Sequence, residues 1–319
     1  MRALAVRSHN AAEIVEDWTL PAPAGDEVQV KVSACGLNFA DLLMIEGTYQ
    51  DTPALPFAPG LEICGIVTAI GAQVAGLEIG DRISAYCGSG GLSEYVNVAA
   101  ERCRPVPDAM SDAVAAGFQI AYGTSHLALT RRARLAAGET LVVLGAAGGV
   151  GLTAVEIGRA LGARVIGVAR GEDKMAIART AGADEVLDAS TEDLKAQLKS
   201  MGSVDVVYDA VGGALGEAAL GALRPEGRYL AIGFASGSVP KPKLNHLLVK
   251  NIDVIGFYWG GYLRFAPDAL TDSLAELMEC HAAGRITPHI SHILPFDQVQ
   301  EGLDLLKTRK ATGKVVITL

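Results

Sequence analysis

The pattern of hydrophobic and polar positions changes near Ser111. Before that point, short segments alternate apolar and polar residues between glycines and prolines, as at 27–33, 65–71 and 81–86. Alternation with a period of two is typical of strands that are buried on one face. The first third of the chain is therefore predicted to be a β-rich, partly open barrel.

After Ser111, short apolar runs alternate with helical patterns. The predicted strands are 140–144, 164–168, 185–187, 204–208, 228–232 and 252–255, and the predicted helices are 150–161, 174–181, 192–200 and 215–223. This order predicts an α/β fold with a doubly wound parallel sheet. Helices at 270–283 and 299–306, a strand-like segment at 286–294 and a strand at 314–319 follow, and we expect them to return to the first domain.

A glycine-rich turn follows the first of these strands. The apolar run ends in Gly145-Ala-Ala-Gly-Gly-Val-Gly151, and a helical pattern begins at once. Backbone N–H groups at the start of such a helix can bind a pyrophosphate. The strand–turn–helix context predicts a dinucleotide site whose phosphate turn is formed by Ala147, Gly148, Gly149, Val150 and Gly151.

The end of the second strand indicates which dinucleotide is bound. Arg170 stands there and Lys174 follows, where cofactor sites specific for NADH usually carry an acidic residue. A guanidinium group suits a 2′-phosphate, so NADPH is the predicted cofactor. The alternative is that Arg170 is a surface charge and that Glu172 or Asp173 binds the ribose.

Composition excludes several classes of function. Half of the 319 residues are hydrophobic, which is enough to bury sizeable cores, and the net charge of -9 argues against a nucleic-acid or anionic-membrane surface. The five scattered cysteines form no Cys-x-x-Cys pair, and no apolar run approaches bilayer length. We expect a soluble, cytoplasmic protein with reduced thiols, of which Cys35 lies nearest to the candidate site.

Several motifs together carry a resemblance to a known family. They are Gly36-Leu-Asn-Phe-Ala-Asp41, Pro56-Phe-Ala-Pro-Gly-Leu-Glu62, Tyr122-Gly-Thr-Ser125, the glycine turn and Ala311-Thr-Gly-Lys-Val-Val316. Across its whole length the chain resembles the medium-chain dehydrogenase/reductase superfamily, in its zinc-free NADPH:quinone oxidoreductase (zeta-crystallin-like) branch. The resemblance implies a GroES-like catalytic domain (1–112 and 261–319), a Rossmann domain (113–260), a cleft for the nicotinamide and a homodimer joined through sheet edges.

The chain departs from the zinc alcohol dehydrogenases of this superfamily. Asn38 and Leu61 stand where those enzymes carry cysteine and histidine ligands. Neither side chain is a useful ligand for zinc, so no metal is predicted. His289 and His292 are interpreted as structural or surface residues.

The resemblance also nominates catalytic residues. Asn38 would bind either the nicotinamide ribose or the substrate carbonyl, Asp41 would orient its neighbours, and Tyr49 would donate a hydrogen bond or a proton to the acceptor. Each has a structural alternative: Asn38 suits a helix N-cap, Asp41 a first helical turn, and Tyr49 the edge of a loop.

Further cofactor contacts follow from the same resemblance. They are Thr124, Val211, Gly233, Phe234, Phe257, Trp259, Gly313 and Lys314. The segment that contains Phe257 and Trp259 follows the last strand of the sheet, so its alternative role is subunit packing. Ala189 stands where relatives often carry a tyrosine near the 2′-phosphate, which weakens the prediction of NADPH.

The predicted function is the transfer of a hydride from NADPH to a quinone, because a metal-free site favours an acceptor that is already electrophilic. The first alternative is reduction of α,β-unsaturated carbonyls or enoyl-CoA thioesters. The second is a non-catalytic NADPH-binding protein.

Overall fold

The computed structural model describes residues 1–319 and divides into two compact units. The first unit comprises Met1–Ile120 and His289–Leu319, and the second comprises Ala121–Pro288. These bounds lie later in the chain than the predicted 112/113 and 260/261. One reason is that the helix Pro267–Ala282 belongs to the second unit, where Ser273 Oγ lies 2.8 Å from His126 Nδ1.

Strands and helices are numbered in chain order. The strands are β1 Ala3–Ser8, β2 Ala11–Val15, β3 Glu27–Gly36, β4 Glu62–Ile70, β5 Arg82–Tyr86, β6 Tyr95–Ala99, β7 Cys103–Pro105, β8 Thr140–Leu144, β9 Arg164–Ala169, β10 Glu185–Asp188, β11 Val206–Asp209, β12 Arg228–Ala231, β13 Asp253–Gly256, β14 Ile290–Pro295 and β15 Lys314–Thr318. The α-helices are α1 Phe39–Glu46, α2 Asp112–Ala116, α3 Gln119–Leu127, α4 Gly149–Ala160, α5 Glu172–Thr180, α6 Leu194–Ser200, α7 Gly213–Ala222, α8 Leu244–Lys250, α9 Tyr262–Phe265, α10 Pro267–Ala282 and α11 Val299–Lys307.

The first unit is built on a seven-stranded sheet in which β14, β15, β3, β4, β5 and β7 are neighbours and β6 also pairs with β3. Most pairs are antiparallel, and β14 and β15 are parallel. The predicted alternation appears on β3, where Val28, Val30 and Val32 are buried in the core. Since β14 and β15 join this sheet, the chain returns to the first unit from His289 onward, whereas the helix predicted at 270–283 stays in the second unit.

The second unit contains six parallel strands in the order β10-β9-β8-β11-β12-β13. This is the order of a doubly wound dinucleotide-binding sheet. Every residue of β8 is buried, which explains its continuous apolar sequence. Parallel strands place all their carboxyl ends at one edge of the sheet. The chain order of the strands reverses at β8, which has β9 on one side and β11 on the other. Ligands bind at such a point in open α/β sheets.

No helix combines the length and the apolar character that crossing a bilayer would require.

Candidate active site

The phosphate turn lies between β8 and α4. Gly145 has a φ of 74°, and its carbonyl accepts a hydrogen bond of 2.9 Å from the N–H of Gly148. A Cβ at Gly151 would lie 2.0 Å from the Gly145 oxygen, so only glycine fits there. The first N–H groups of α4 have no partner within the helix, and Gly148, Gly149 and Val150 are partly exposed. The turn therefore offers backbone donors to an anion.

The loop after β11 borders this turn. The buried carboxylate of Asp209 accepts hydrogen bonds from the N–H groups of Val211 (2.7 Å) and Gly212 (2.8 Å). These hydrogen bonds hold Val211 against the glycine turn. A Cβ added at Gly145 would lie only 2.9 Å from Val211 Cγ2. Val211 was predicted from the sequence, whereas Asp209 was not. The available signal was an acidic residue directly after the buried run of β11.

The loop after β12 adds two of the predicted residues. Gly233 N–H donates a 3.2 Å hydrogen bond to the backbone oxygen of Asp209. The side chain of Phe234 is 40% exposed and approaches Gly212, where a Cβ would lie 3.0 Å from Phe234 Cδ1. Three predicted residues, Val211, Gly233 and Phe234, therefore gather near the carboxyl edge of the sheet.

Arg170 follows β9 directly and is exposed. Glu172 and Asp173 lie in the first turn of α5, and Lys174 is the next residue of that helix. Asp188, at the end of the neighbouring β10, was not predicted from the sequence. Hydrogen bonds from the N–H and hydroxyl of Ser190, a further one from the N–H of Gly171, and the charge of Arg170 lower the pKa of Asp188. The guanidinium of Arg170 at the end of β9 therefore lies near the carboxylate of Asp188.

A buried charged network lies in the first unit. Glu62 begins β4 and Lys314 begins β15, and both side chains are buried. Lys314 Nζ donates to Glu62 Oε1 (2.7 Å), to Asn38 Oδ1 (2.9 Å) and to the backbone oxygen of Leu37 (2.8 Å). Asn38 Nδ2 donates to the same Glu62 oxygen at 3.0 Å. The structure thus joins two predicted residues, Asn38 and Lys314, through Glu62, which the sequence analysis did not name as functional.

Comparisons with known proteins give the same family for both units. Residues 24–108 match the model "Alcohol dehydrogenase GroES-like domain", and residues 149–278 match "Zinc-binding dehydrogenase". The quinone oxidoreductase-like protein 2 homolog of Nematostella vectensis is 37% identical over 311 residues, covering 95% of this chain and 85% of that protein. The chain belongs to the quinone oxidoreductase family of medium-chain dehydrogenases/reductases.

Further known proteins are similar to nearly the whole chain. The crystal structure of Escherichia coli quinone oxidoreductase complexed with NADPH has a TM-score of 0.92 and 30% identity, with full coverage of both chains. The Thermus thermophilus quinone oxidoreductase, also solved in complex with NADPH, has a TM-score of 0.88 and 32% identity, again with full coverage. The human synaptic vesicle membrane protein VAT-1 homolog is 31% identical over 317 residues, which is 93% of this chain and 80% of that protein. The predicted family and fold class are confirmed.

Within this quinone oxidoreductase fold, the buried carboxyl group of Asp41 binds backbone N–H groups. It is fully buried in the first turn of α1, where its carboxylate accepts hydrogen bonds from the N–H groups of Asn38 (2.8 Å) and Gly60 (2.9 Å). Burial raises its pKa to about 7, although both hydrogen bonds and Lys314 act in the opposite direction. Asp41 therefore holds the backbone of Asn38 and Gly60 in place. Asn38 occupies the N-cap position while its side chain bonds Glu62 and Lys314.

The remaining predicted residues differ in their exposure. Tyr49 is half-buried in the loop after α1, and its carbonyl accepts a 2.7 Å hydrogen bond from the hydroxyl of Thr52. Thr124 is buried in α3. Trp259 is also buried and packs against Gly123, where a Cβ would lie 2.5 Å from Trp259 Nε1. Packing within the second unit therefore accounts for much of the Trp259 surface.

Two further predicted residues are fixed through the backbone. Phe257 donates its N–H to the backbone oxygen of Ala231 at 3.2 Å. Gly313 has a φ of 56°, and a Cβ there would lie 2.3 Å from the carbonyl oxygen of His289. Glycine at 313 thus lets the chain pass close to His289 directly before Lys314.

The thiols and possible metal ligands are also placed. Cys35 is fully buried, and burial raises its pKa well above the usual value, so it is not a reactive thiol. No three His, Cys, Asp or Glu side chains among residues 1–319 form a group able to hold a metal ion.

Proposed function

We propose that this chain is a zinc-independent reductase that transfers a hydride from NADPH to a quinone. The observation that carries this proposal is the buried ammonium group of Lys314, held by Asn38 and Glu62. The positive charge here is carried by the ammonium group of Lys314. Unlike a catalytic metal ion, an ammonium group has no open coordination position that an alcohol oxygen could occupy. Such a site favours an acceptor that is electrophilic without a Lewis acid.

The cofactor is NADPH. The phosphate turn presents backbone donors, and Arg170 offers a guanidinium to the 2′-phosphate in paired, charge-assisted hydrogen bonds. NADPH is also the cofactor bound in the E. coli and T. thermophilus structures. Lys174 supplies a second positive charge on α5. Asp188 opposes these charges and holds the loop at Gly171.

In the reaction, NADPH supplies the hydride and one proton is taken up, so that a quinone leaves as a hydroquinone and NADP⁺ is formed. Tyr49 is the residue proposed to donate a hydrogen bond to the acceptor oxygen as negative charge develops there. Asp41 holds the backbone of Asn38 and Gly60 in place.

We test this function by following NADPH oxidation, with NADH in parallel, after treatment with a chelator. The acceptors are quinones, enones and enoyl-CoA thioesters. Selective, chelator-insensitive reduction of quinones with NADPH is expected. Turnover of enones or enoyl-CoA alone would move the assignment to those substrates, and NADPH binding without any turnover would favour the non-catalytic alternative.

The cofactor preference is tested by Arg170→Ala. Loss of a charged hydrogen-bonding group should lower kcat/KM for NADPH by roughly tenfold to a hundredfold and leave that for NADH nearly unchanged. Arg179→Ala is the matched control, since Arg179 lies on α5 and pairs with Glu172. An equal loss for both cofactors in Arg170→Ala would contradict the assigned role.

We also propose that the chain forms a homodimer through β13. This strand is one of the two edge strands of the six-stranded sheet, β10 being the other, and Val254 is 40% exposed on it. The preceding helix α8 exposes Leu244, Leu248 and Val249. An uncovered edge beside an apolar surface is unfavourable in a monomer.

A further inference from the structure

We propose that Ser125 is a positioning residue that holds the first turn of α4, and with it the phosphate turn, in the conformation that binds the pyrophosphate of NADPH. In this role Ser125 acts through the backbone of Val150 and makes no contact with the cofactor. The inference rests on the proposed function, because it assigns the turn at Gly148, Gly149 and Val150 to the pyrophosphate.

The phosphate turn has almost no side chains of its own that could anchor it. Between Gly145 and Gly151, four residues are glycine and two are alanine, so Val150 carries the one larger side chain. Glycine loses more conformational freedom on folding than any other residue. A fixed turn therefore requires contacts that neighbouring elements make to its backbone.

Three buried hydroxyl groups meet beside this backbone. Ser125 on α3, Thr153 on α4 and Tyr208 on β11 are all buried. Ser125 Oγ lies 2.7 Å from Thr153 Oγ1 and 2.9 Å from the phenolic oxygen of Tyr208. It also donates a 2.9 Å hydrogen bond to the carbonyl oxygen of Val150. The cluster thus connects two helices and a strand at the point where α4 begins.

The hydrogen atoms of the three hydroxyl groups can be assigned to acceptors. Burial raises the pKa of Tyr208, so its phenol keeps the proton, and Ser125 Oγ is the acceptor within reach. Thr153 Oγ1 lies 3.0 Å from the carbonyl oxygens of both Ala121 and Val150, and each hydroxyl has one hydrogen. Both carbonyls receive a hydrogen when Thr153 donates to Ala121. Ser125 then accepts from Tyr208 and donates to Val150.

This arrangement fixes the start of α4 before any ligand binds. A carbonyl oxygen has two lone pairs, so Val150 can accept from Ser125 and still accept an N–H within the helix. Its backbone is thereby tied to α3 and, through Tyr208, to β11. The N–H groups of Gly149 and Val150, which have no partner within α4, are held in place together with it. Such preorganisation lowers the free-energy cost of binding the pyrophosphate.

The test compares wild type and Ser125→Ala by the Kd of two ligands, NADPH and adenosine 2′-monophosphate, which has no pyrophosphate. Without the Ser125 hydroxyl, NADPH must order the turn as it binds. The Kd of NADPH should therefore rise by roughly threefold to tenfold, and that of adenosine 2′-monophosphate should stay unchanged. An unchanged Kd for NADPH, or an equal rise for both ligands, would overturn the proposal.

Hydrogen exchange of the cofactor-free protein is a second readout. In Ser125→Ala the backbone N–H groups of residues 151–155 should exchange faster than in wild type, because the first turn of α4 opens more often. The rest of the second unit should keep its exchange rates. Faster exchange spread evenly over the second unit would show a loss of overall stability instead, and the positioning role would fail.

Ser273→Ala is the matched control. Ser273 is a buried serine of α10 in the second unit, and its hydroxyl pairs with the ring of His126. This variant should lose thermal stability without changing the Kd of either ligand. A rise in the Kd of NADPH equal to that in Ser125→Ala would show that loss of any buried hydroxyl loosens the site, which contradicts a specific role of Ser125.

Tyr208→Phe keeps the hydroxyl of Ser125 and serves if Ser125→Ala does not fold. Ser125 then has no donor, so Thr153 can donate to it and the bond to Val150 is no longer enforced. The Kd of NADPH should rise by about twofold, again with no change for adenosine 2′-monophosphate. An unchanged Kd of NADPH in Tyr208→Phe would show that the hydroxyl cluster does not position the turn.

The binding measurements do not depend on turnover. If wild type binds NADPH but reduces no acceptor, the proposed reductase function fails and the Kd comparison still decides the role of Ser125. If wild type reduces quinones and Ser125→Ala has the same Kd for NADPH, the positioning role fails and the function stands.

Discussion

At the residue scale, a buried carboxylate in each unit accepts hydrogen bonds from backbone N–H groups next to candidate site residues. Asp41 holds Asn38 and Gly60 in the first unit, and Asp209 holds Val211 and Gly212 in the second. Charged groups are rarely buried unless they are paired in this way. Each of these carboxylates therefore marks a loop whose conformation is fixed.

Asp41 should make stability depend on pH. Its pKa is raised from 3.8 to about 7, so its stabilising contribution is complete below pH 3.8 and is lost as the pH rises to about 7. Over that interval Asp41 should lower the free energy of unfolding by up to about 1.4 kcal/mol per pH unit. Urea denaturation at a series of pH values should show this slope in wild type and its absence in Asp41→Asn.

Equal slopes in wild type and Asp41→Asn would contradict the prediction. Asp188→Asn provides a control of opposite sign. Because the pKa of Asp188 is lowered, its contribution is present above its usual value and is lost only as the pH falls through the lowered pKa. Its replacement should leave the slope between pH 5 and 7 unchanged.

At the scale of elements, β8 and the turn after it follow directly from local sequence. The predicted bounds of β8 are those of the structure, since an uninterrupted apolar run ended by glycine admits few alternatives. Helix α8 was not predicted. Its Leu244, Leu248 and Val249 are 79%, 76% and 75% exposed, and of its apolar residues Leu247 packs on the core, so its sequence carries no broad apolar stripe that faces the core.

The glycine turn gives a test at this scale. In Gly151→Ala the new methyl group would lie 2.0 Å from the backbone oxygen of Gly145, so helix and turn must separate. The free energy of unfolding should fall by about 1–3 kcal/mol, with weaker NADPH binding. In Gly148→Ala the nearest atom is 3.3 Å away, and the loss of stability should be smaller. A larger loss at Gly148 would contradict this account.

At the scale of the whole molecule, the edge of the second sheet formed by β13 needs a partner that covers it. The first sheet ends in the short β7 and in β14, whereas β13 carries an exposed Val254 next to the apolar surface of α8. Pairing of β13 with the same strand of a second copy would bury both features, as in closed symmetric dimers.

The proposed dimer predicts that Leu248→Glu will sediment as a monomer at concentrations where wild type sediments as a dimer. The carboxylate would be buried without a partner in the interface, which costs several kcal/mol by order of magnitude. Ile79→Glu is the control, because Ile79 is 66% exposed but lies in the first unit. Monomeric wild type, or an unchanged mass for Leu248→Glu, would refute the interface.

The sequence by itself determined the alternation of strands and helices in the second unit, the phosphate turn and the family, because periodicity and glycine positions act over a few neighbouring residues. Only the tertiary structure decided the partners of Asn38. Glu62 lies 24 residues from Asn38 in the sequence, and Lys314 lies 252 residues from Glu62, so no local pattern joins them. The sheet joins them instead, because pairing of β3 with both β4 and β15 places the ends of distant strands side by side. In the same way, α10 joined the second unit through burial of Leu270, Leu274 and Leu277, a choice of packing partner that helical periodicity alone does not specify.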